Sequence, residues 1–171
     1  MTEETSDATL HRNAMRVQDA LRTAGSGATV RRLDDSARTA PEAATALGVE
    51  VGAIAKSLVF QAIPESADPY YVLVVMSGSE RVDTARLAAT LDVPKIKRPD
   101  AEGVREATGY PIGGVSPAGL NADLTVLVDE SLAKFDVVWA AAGTPHDVFP
   151  TTFDELLRIT GGRRCDVPVA S

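Results

Sequence analysis

Apolar residues recur every three or four positions in several stretches of the chain, which is the spacing of a helix that buries one face. The first such stretch carries Met15, Val17 and Leu21 and stops at Gly25. Later stretches begin at residues that commonly cap helices and end at glycine, as helices often do. Helices are predicted over residues 13–24, 41–47, 84–91, 101–107 and 153–160, the later ones capped by Thr39 or Ala40, Asp83, Asp100, and Thr151 or Thr152.

Other stretches are continuously apolar or alternate between apolar and polar, which is typical of strands. YYVLVVM at 70–76 predicts a buried strand, and IAKSLVFQAI at 54–63 predicts its hairpin partner. Strands are predicted over residues 28–33, 54–63, 70–76, 124–129 and 137–142, with an extended segment at 94–98. Because strands and helices follow one another irregularly, the pattern predicts an α+β fold with a mixed or antiparallel sheet. Residues 1–10 are expected to form a flexible tail, and residues 11–171 a single domain.

Composition narrows the class of protein. The 171 residues are 44% hydrophobic, but none of their apolar runs approaches the length of about 20 residues that a membrane helix needs. The start of the chain lacks the basic and apolar regions of a signal peptide, and a lone cysteine forms neither an internal disulfide nor a cysteine-ligated zinc site. We therefore expect a cytoplasmic protein with no membrane association, no metal and no cofactor.

The formal net charge of −7 argues against coating of nucleic acid along its length. It leaves room for a local basic patch that grips one end of an RNA. Lys95, Lys97 and Arg98 form one candidate patch, and Arg31 and Arg32 form another. Scattered, solvated charges are the alternative interpretation of both groups.

Lys56 is the first candidate for chemistry, because it interrupts an otherwise apolar strand. A lysine ammonium rarely stays in a protein core without a partner, so Lys56 lies either on a solvated face or in a cleft. In a cleft, its point charge could hold a phosphate or a developing oxyanion.

The segment GYPIGGVSPAGL at 109–120 is the second candidate, since six of its twelve residues are glycine or proline. Glycine allows main-chain groups to approach a ligand closely, and proline removes donors. The segment lacks the glycine patterns of nucleotide-binding loops. It is predicted to bind a small polar ligand through its backbone, and a long irregular connection is the alternative.

A third candidate is the turn GTPH at 143–146, where a glycine follows a buried strand and His146 could orient a hydroxyl or a water. The hydroxyls of Ser57, Ser77 and Ser116 could donate hydrogen bonds, although no GxSxG nucleophile motif is present. Asp129 is expected to cap the turn after its strand. Cys165 is expected to lie in a C-terminal tail.

The order of IAKSLVF, YYVLVVMSGSERVD, GYPIGGVSPAGL and VVWAAAGTPHDVFPTTFDELLRITG resembles the YbaK/prolyl-tRNA-synthetase-associated editing domains. The resemblance runs from about residue 34 to residue 161. It implies a central curved, mixed sheet flanked by helices, and hydrolysis of the ester of mischarged tRNA, typically tRNA for proline carrying alanine or cysteine.

The resemblance also implies roles for particular residues. Lys56 stands where loss of the family's lysine abolishes activity, and the late turn with Gly143 and His146 closes the pocket. Ser57 stands where some family members have asparagine. The loop residues implied to hold the aminoacyl group are Gly113, Gly114, Pro117 and Gly119.

Together these features predict a trans-editing hydrolase that uses a substrate-assisted mechanism, with the acceptor end of mischarged tRNA as its partner. Prolyl-tRNA synthetase is the second expected partner. The alternative is a non-catalytic module that binds a small ligand or a protein in the same pocket. A metal hydrolase is disfavoured, because the two histidines are far apart in sequence. Monomer and homodimer both remain open.

Overall fold

A computed structural model describes residues 11–120 and 124–170, so the tail predicted over residues 1–10 lies outside the described residues. Within these ranges the chain forms five α-helices and eight strands. The helices are α1 (Arg12–Thr23), α2 (Ala40–Leu47), α3 (Thr84–Leu91), α4 (Ala101–Thr108) and α5 (Phe153–Thr160). The strands are β1 (Arg31–Arg32), β2 (Ile54–Ile63), β3 (Tyr70–Ser77), β4 (Lys95–Lys97), β5 (Thr125–Asp129), β6 (Val138–Ala141), β7 (Asp147–Thr151) and β8 (Arg163–Cys165).

The helices begin and end where the capping pattern predicts. Thr39 and Glu42 form a reciprocal capping box at the start of α2. Asp83, Asp100 and Thr152 each accept a backbone N–H in the first turn of the helix that follows. The glycines after α2, α4 and α5 adopt a left-handed conformation that favours glycine, as at Gly48, where φ is 70°.

The strands form one mixed sheet in the order β1-β7-β6-β2-β3-β5-β8, with β4 as an additional partner of β2. β2 pairs with β3 and β4 in the antiparallel sense, whereas β2–β6, β3–β5 and β5–β8 are parallel. The predicted α+β fold with a mixed sheet is therefore confirmed.

β3 lies inside the sheet, between β2 and β5, where its run of apolar residues is buried on both faces. Leu73 and Val75 pack into the main core with α1, α4 and α5. Val72 and Val74 pack on the opposite face, against Leu87 of α3. No helix in residues 11–120 and 124–170 is both long and apolar enough to cross a membrane.

One strand prediction needs correction, and two strands were missed. The strand predicted over residues 28–33 contains only Arg31 and Arg32, whose exposed side chains give it little apolar surface to bury. β7 was missed because it directly follows the GTPH turn and is interrupted by Pro150. β8 was missed because its two arginines are exposed and only Cys165 is buried.

Cys165 thus lies in a strand and not in a tail, and a buried carboxylate holds that strand in place. Asp129 accepts the N–H of Val167 at 2.8 Å, lies 3.6 Å from the Cys165 Sγ, and accepts the N–H of Ser131 at 2.9 Å. The last of these bonds caps the turn after β5, as predicted. Burial, together with the Asp129 charge, raises the pKa of the Cys165 thiol to about 12, which disfavours the nucleophilic thiolate form.

We expect Asp129→Ala to destabilise the fold, because the substitution leaves the buried N–H groups of Val167 and Ser131 without their acceptor. The expected loss is about 2–4 kcal/mol in the free energy of unfolding, measured by urea denaturation. Asp136→Ala, at an exposed carboxylate, is the matched control and is expected to change stability by less than about 0.5 kcal/mol. Equal stability of the two variants would contradict the anchoring role of Asp129.

Candidate active site

A cleft of about 270 Å³ opens beside the middle of β2, where the sheet has a gap. One edge of β2 pairs with β3 from Ala55 to Ala62. On its other edge, β6 pairs only with Ile54 and Ala55, and β4 pairs only from Gln61 onward. The residues between these two partners form the floor of the cleft. Its walls are mostly apolar and come from the segment before α2, from α4, from β6 and from the glycine-rich loop.

Lys56 lies in this cleft and not on a fully solvated face, the two alternatives that its sequence position left open. The side chain is half-buried, and its Nζ donates to the backbone carbonyl of Glu80. Burial lowers the pKa of the Lys56 ammonium; the Glu80 carboxylate opposes this shift, whereas Arg81 and Arg98 add to it. The result is a poorly solvated positive charge next to apolar walls, where its electrostatic effect on a bound group is larger than in water.

Ser57 also lines the cleft, and its Oγ is buried without a hydrogen-bond partner among the described residues. Two arginines, Arg38 and Arg98, contribute further positive charge to the lining. Arg98 lies over the ring of Phe60 at 4.9 Å, which fixes its position. The lining contains no carboxylate or imidazole from the described part of the chain, so no side chain at the cleft is placed to act as a general base.

The glycine-rich loop contributes less to the lining than its composition predicts. Of its predicted binding residues, Gly113 lines the cleft, together with the neighbouring Ile112 and Val115. Gly113 has a φ of 90°, and a Cβ there would lie 2.7 Å from the Cγ of Arg38. This glycine therefore allows the loop to pack closely against the arginine at the cleft.

The other predicted loop residues pack inside the protein. Gly114 faces the turn after β6, since a Cβ there would lie 2.9 Å from the backbone of Gly143, and its N–H donates to the Pro111 carbonyl. Gly119 lies against the Tyr110 hydroxyl, Pro117 is buried, and the Ser116 Oγ accepts the N–H of Ala118. None of these residues lines the cleft, because their polar groups and surfaces are used within the loop.

Gly143 and His146 lie in a separate depression on the other side of this loop, together with His11 and Asn13. The Asn13 side chain donates to the Gly143 carbonyl at 3.1 Å. The turn contacts the cleft indirectly, through the segment before α2. The Pro145 carbonyl accepts the N–H of Ala37, and the His146 carbonyl accepts the N–H of Leu33. The turn therefore positions the segment that carries Arg38.

Ser77 is likewise outside the cleft lining, because it is fully buried and its Oγ donates to the Gly52 carbonyl at 2.7 Å. Conversely, sequence reasoning missed Arg38 and Trp139, which do line the cleft. The sequence held one signal near Arg98, which is Pro99, because a proline can end the pairing of a strand. Only the strand register shows which pairing it ends.

Metal ligands do not cluster in the described ranges, where no three His, Cys, Asp or Glu side chains lie close enough to hold an ion. The arrangement can bind an anionic or carbonyl-bearing group at Lys56 and place a small apolar group against apolar walls.

Gly114→Ala is expected to lower stability by about 1–3 kcal/mol, because the new methyl group would overlap the main chain of Gly143. Urea denaturation measures this loss. The matched control is Gly27→Ala, since no atom lies within 4 Å of a Cβ at Gly27. If Gly114→Ala is as stable as that control, the loop does not pack against the turn as described.

Comparison with known proteins shows which family the chain resembles. The sequence profile described as the aminoacyl-tRNA editing domain matches residues 34–159. The protein YwhH of Bacillus subtilis (strain 168) is 33% identical over 127 residues, which cover 74% of this chain and 78% of YwhH. The candidate Cys-tRNA(Pro)/Cys-tRNA(Cys) deacylase EbsC of Enterococcus faecalis (strain ATCC 700802 / V583) is 25% identical, over 75% of this chain and 76% of EbsC.

A crystal structure described as a candidate trans-editing enzyme for prolyl-tRNA synthetase has a similar fold. It superposes with a TM-score of 0.84 and 43% sequence identity, over 95% of this chain and all of that one. The family match includes every segment that lines the cleft, and it runs from the segment before α2 into α5. The chain belongs to the aminoacyl-tRNA editing domain family.

Proposed function

We propose that this protein removes a small, wrongly attached amino acid from tRNA by hydrolysing the ester that joins them, with tRNA for proline carrying cysteine or alanine as the expected substrate. The observation that carries the proposal is the half-buried ammonium of Lys56 in an apolar cleft. Family membership and the similarity to EbsC and to the trans-editing structure support it.

The composition of the cleft suggests how the reaction proceeds. Hydrolysis of an ester passes through a tetrahedral intermediate with a negative oxygen, which a fixed positive charge stabilises. Because no acidic or imidazole side chain of the described residues lines the cleft, proton transfer is assigned to water and to groups of the substrate itself. Lys56 then supplies charge and position, and its lowered pKa does not need to reach neutrality for this role.

The apolar walls suggest the basis of selection. Val59, Val104 and Val115 line the cleft with buried, branched side chains, so a large amino acid meets steric resistance. An editing site of this kind rejects the larger correct product by size and hydrolyses what fits.

Contact with tRNA is assigned to the arginines at the cleft. Arg38 and Arg98 are the cations that line it beside Lys56, and Lys95 and Lys97 extend the charge along β4. A local patch of this kind can grip an acceptor end although the chain carries a net charge of −7. Prolyl-tRNA synthetase is the proposed source of the mischarged tRNA, which places the protein in the cytoplasm.

We expect Lys56→Ala to lower the rate of deacylation of Ala-tRNA(Pro) or Cys-tRNA(Pro) by at least about 100-fold, because the charge at the oxyanion or phosphate is lost. Release of radiolabelled amino acid under single-turnover conditions measures the rate. Lys134→Ala is the control, since Lys134 is exposed and does not line the cleft. Wild-type activity in a folded Lys56→Ala variant would overturn the assignment. A wild-type protein that binds a small ligand but hydrolyses none of the charged tRNAs would favour the non-catalytic binding module.

A salt series tests the tRNA contacts. The logarithm of the tRNA binding constant should fall linearly with the logarithm of salt concentration, and Arg98→Gln should reduce that slope by about 0.7 to 0.9, as expected for one lost phosphate contact. Arg163→Gln is the control, because Arg163 lies on β8 at the far edge of the sheet. Equal slopes for the wild type and Arg98→Gln would remove Arg98 from the tRNA contact.

A further inference from the structure

The gap in the sheet leaves main-chain groups of β2 facing the cleft, and the hydrogen-bond pattern identifies them. The N–H of Gly78 donates to the carbonyl of Ile54 at 2.7 Å, which continues the β2–β3 register by one position. In an antiparallel pair, alternate residues direct both their N–H and their C=O to the same partner. Ile54, Lys56 and Leu58 therefore bond toward β3, and the residues between them bond toward the opposite edge.

Ser57 and Val59 are the two residues whose main-chain groups face the gap. The parallel pairing with β6 stops at Ala55, and the antiparallel pairing with β4 starts at Gln61. On this edge, neither Ser57 nor Val59 has a backbone hydrogen bond to another residue in 11–120 or 124–170. Both residues line the cleft.

A proline explains why the gap persists. Because Gln61 lies opposite Lys97, a longer β4 would place Pro99 opposite Val59. Proline has no N–H and cannot complete that pair. Pro99 lines the cleft instead, so the edge at Ser57 and Val59 stays open to a ligand.

We propose that the aminoacyl group of the substrate adds to this edge as a strand of one residue, paired with Ser57. This inference rests on the proposed function. Two residues opposite each other in an antiparallel pair exchange both N–H···O=C bonds. An aminoacyl ester carries the matching groups, an α-ammonium that donates to the Ser57 carbonyl and an ester carbonyl that accepts the Ser57 N–H.

This pairing supplies an oxyanion donor from the strand itself. The N–H of Gly114 is bonded to Pro111, and the N–H of Ala118 to Ser116. The N–H of Ser57 instead adjoins Lys56 in sequence and faces the cleft. A preorganised backbone donor in a cleft that also contains a cation can stabilise a developing negative charge on a carbonyl oxygen.

The same pairing also sets the position of the substrate side chain. Residues directly opposite each other place their side chains on the same face of a sheet. The substrate side chain then lies beside the buried Ser57 Oγ, on the face where Val59 packs with Val104 and Val115. Those neighbours limit the space on that face to a small group.

A proline at position 57 tests the N–H directly. Ser57→Pro removes a donor that β3 does not use, and it requires Lys56 to be extended, as it already is in β2. Ser57→Ala removes only the hydroxyl and is the matched control. We expect kcat for deacylation by Ser57→Pro to be about 100-fold below that of Ser57→Ala. Leu58→Pro, which removes a ladder bond to β3, should unfold at a much lower temperature than Ser57→Pro and so checks the alternation.

Amide hydrogen exchange gives a second measurement that does not need the proline variant to fold. The probe is alanyl-adenosine in which an amide replaces the ester, so that it is not hydrolysed. We expect it to slow exchange at the Ser57 N–H, whereas Lys56 and Leu58 are already protected in the free protein. Equal kcat in folded Ser57→Pro and Ser57→Ala, or unchanged exchange at Ser57 with the probe bound, would overturn the pairing.

These outcomes separate the pairing from the proposed function. If the wild type deacylates tRNA but Ser57→Pro matches Ser57→Ala, the pairing is wrong and the function stands. If the wild type deacylates no charged tRNA, the function is wrong, and protection of Ser57 by the probe decides the pairing independently.

Discussion

The site depends on a constraint in the sheet: two strands pair with the same edge of β2, and each must stop before it meets the other. β6 stops at Ala55 because the chain turns at Gly143 into β7, and β4 stops at Gln61 because Pro99 cannot donate a hydrogen bond. An unpaired strand edge inside a sheet is ordinarily unfavourable, since buried main-chain groups need partners. Here the cleft keeps the edge accessible, which makes the gap a feature suited to a ligand.

Lys56 depends on that gap as well. The otherwise apolar strand would bury a lysine at its centre at considerable cost. The cleft lets the side chain remain half-buried, with its ammonium bonded to the Glu80 carbonyl. Its lowered pKa records the remaining desolvation, the same effect that strengthens its interaction with a bound oxyanion or phosphate. The apolar walls of the cleft therefore increase the electrostatic effect of the Lys56 ammonium.

The glycine-rich loop has a packing role in addition to the binding role that its composition predicts. Its glycines mainly allow close packing, with Gly113 against Arg38, Gly114 against Gly143 and Gly119 against Tyr110. These contacts hold one wall of the cleft at a fixed distance from β2. The loop thus shapes the cleft, and the backbone hydrogen bonds that we propose come from the strand.

The amino-acid pattern by itself determined most of the helices and the central strands, because those features follow from local periodicity and capping. It also pointed to Lys56 as a candidate, because a lysine is rare in an apolar strand. It could not determine β7 and β8, whose short sequences lack a strand pattern and are stabilised by pairing. Tertiary structure alone decided that Ser77 and Ser116 bond internally, that His146 lies in another depression, and that Arg38 reaches the cleft. The reason is physical: sequence shows which groups a residue carries, whereas strand register decides which of those groups are already bonded and which still face a ligand.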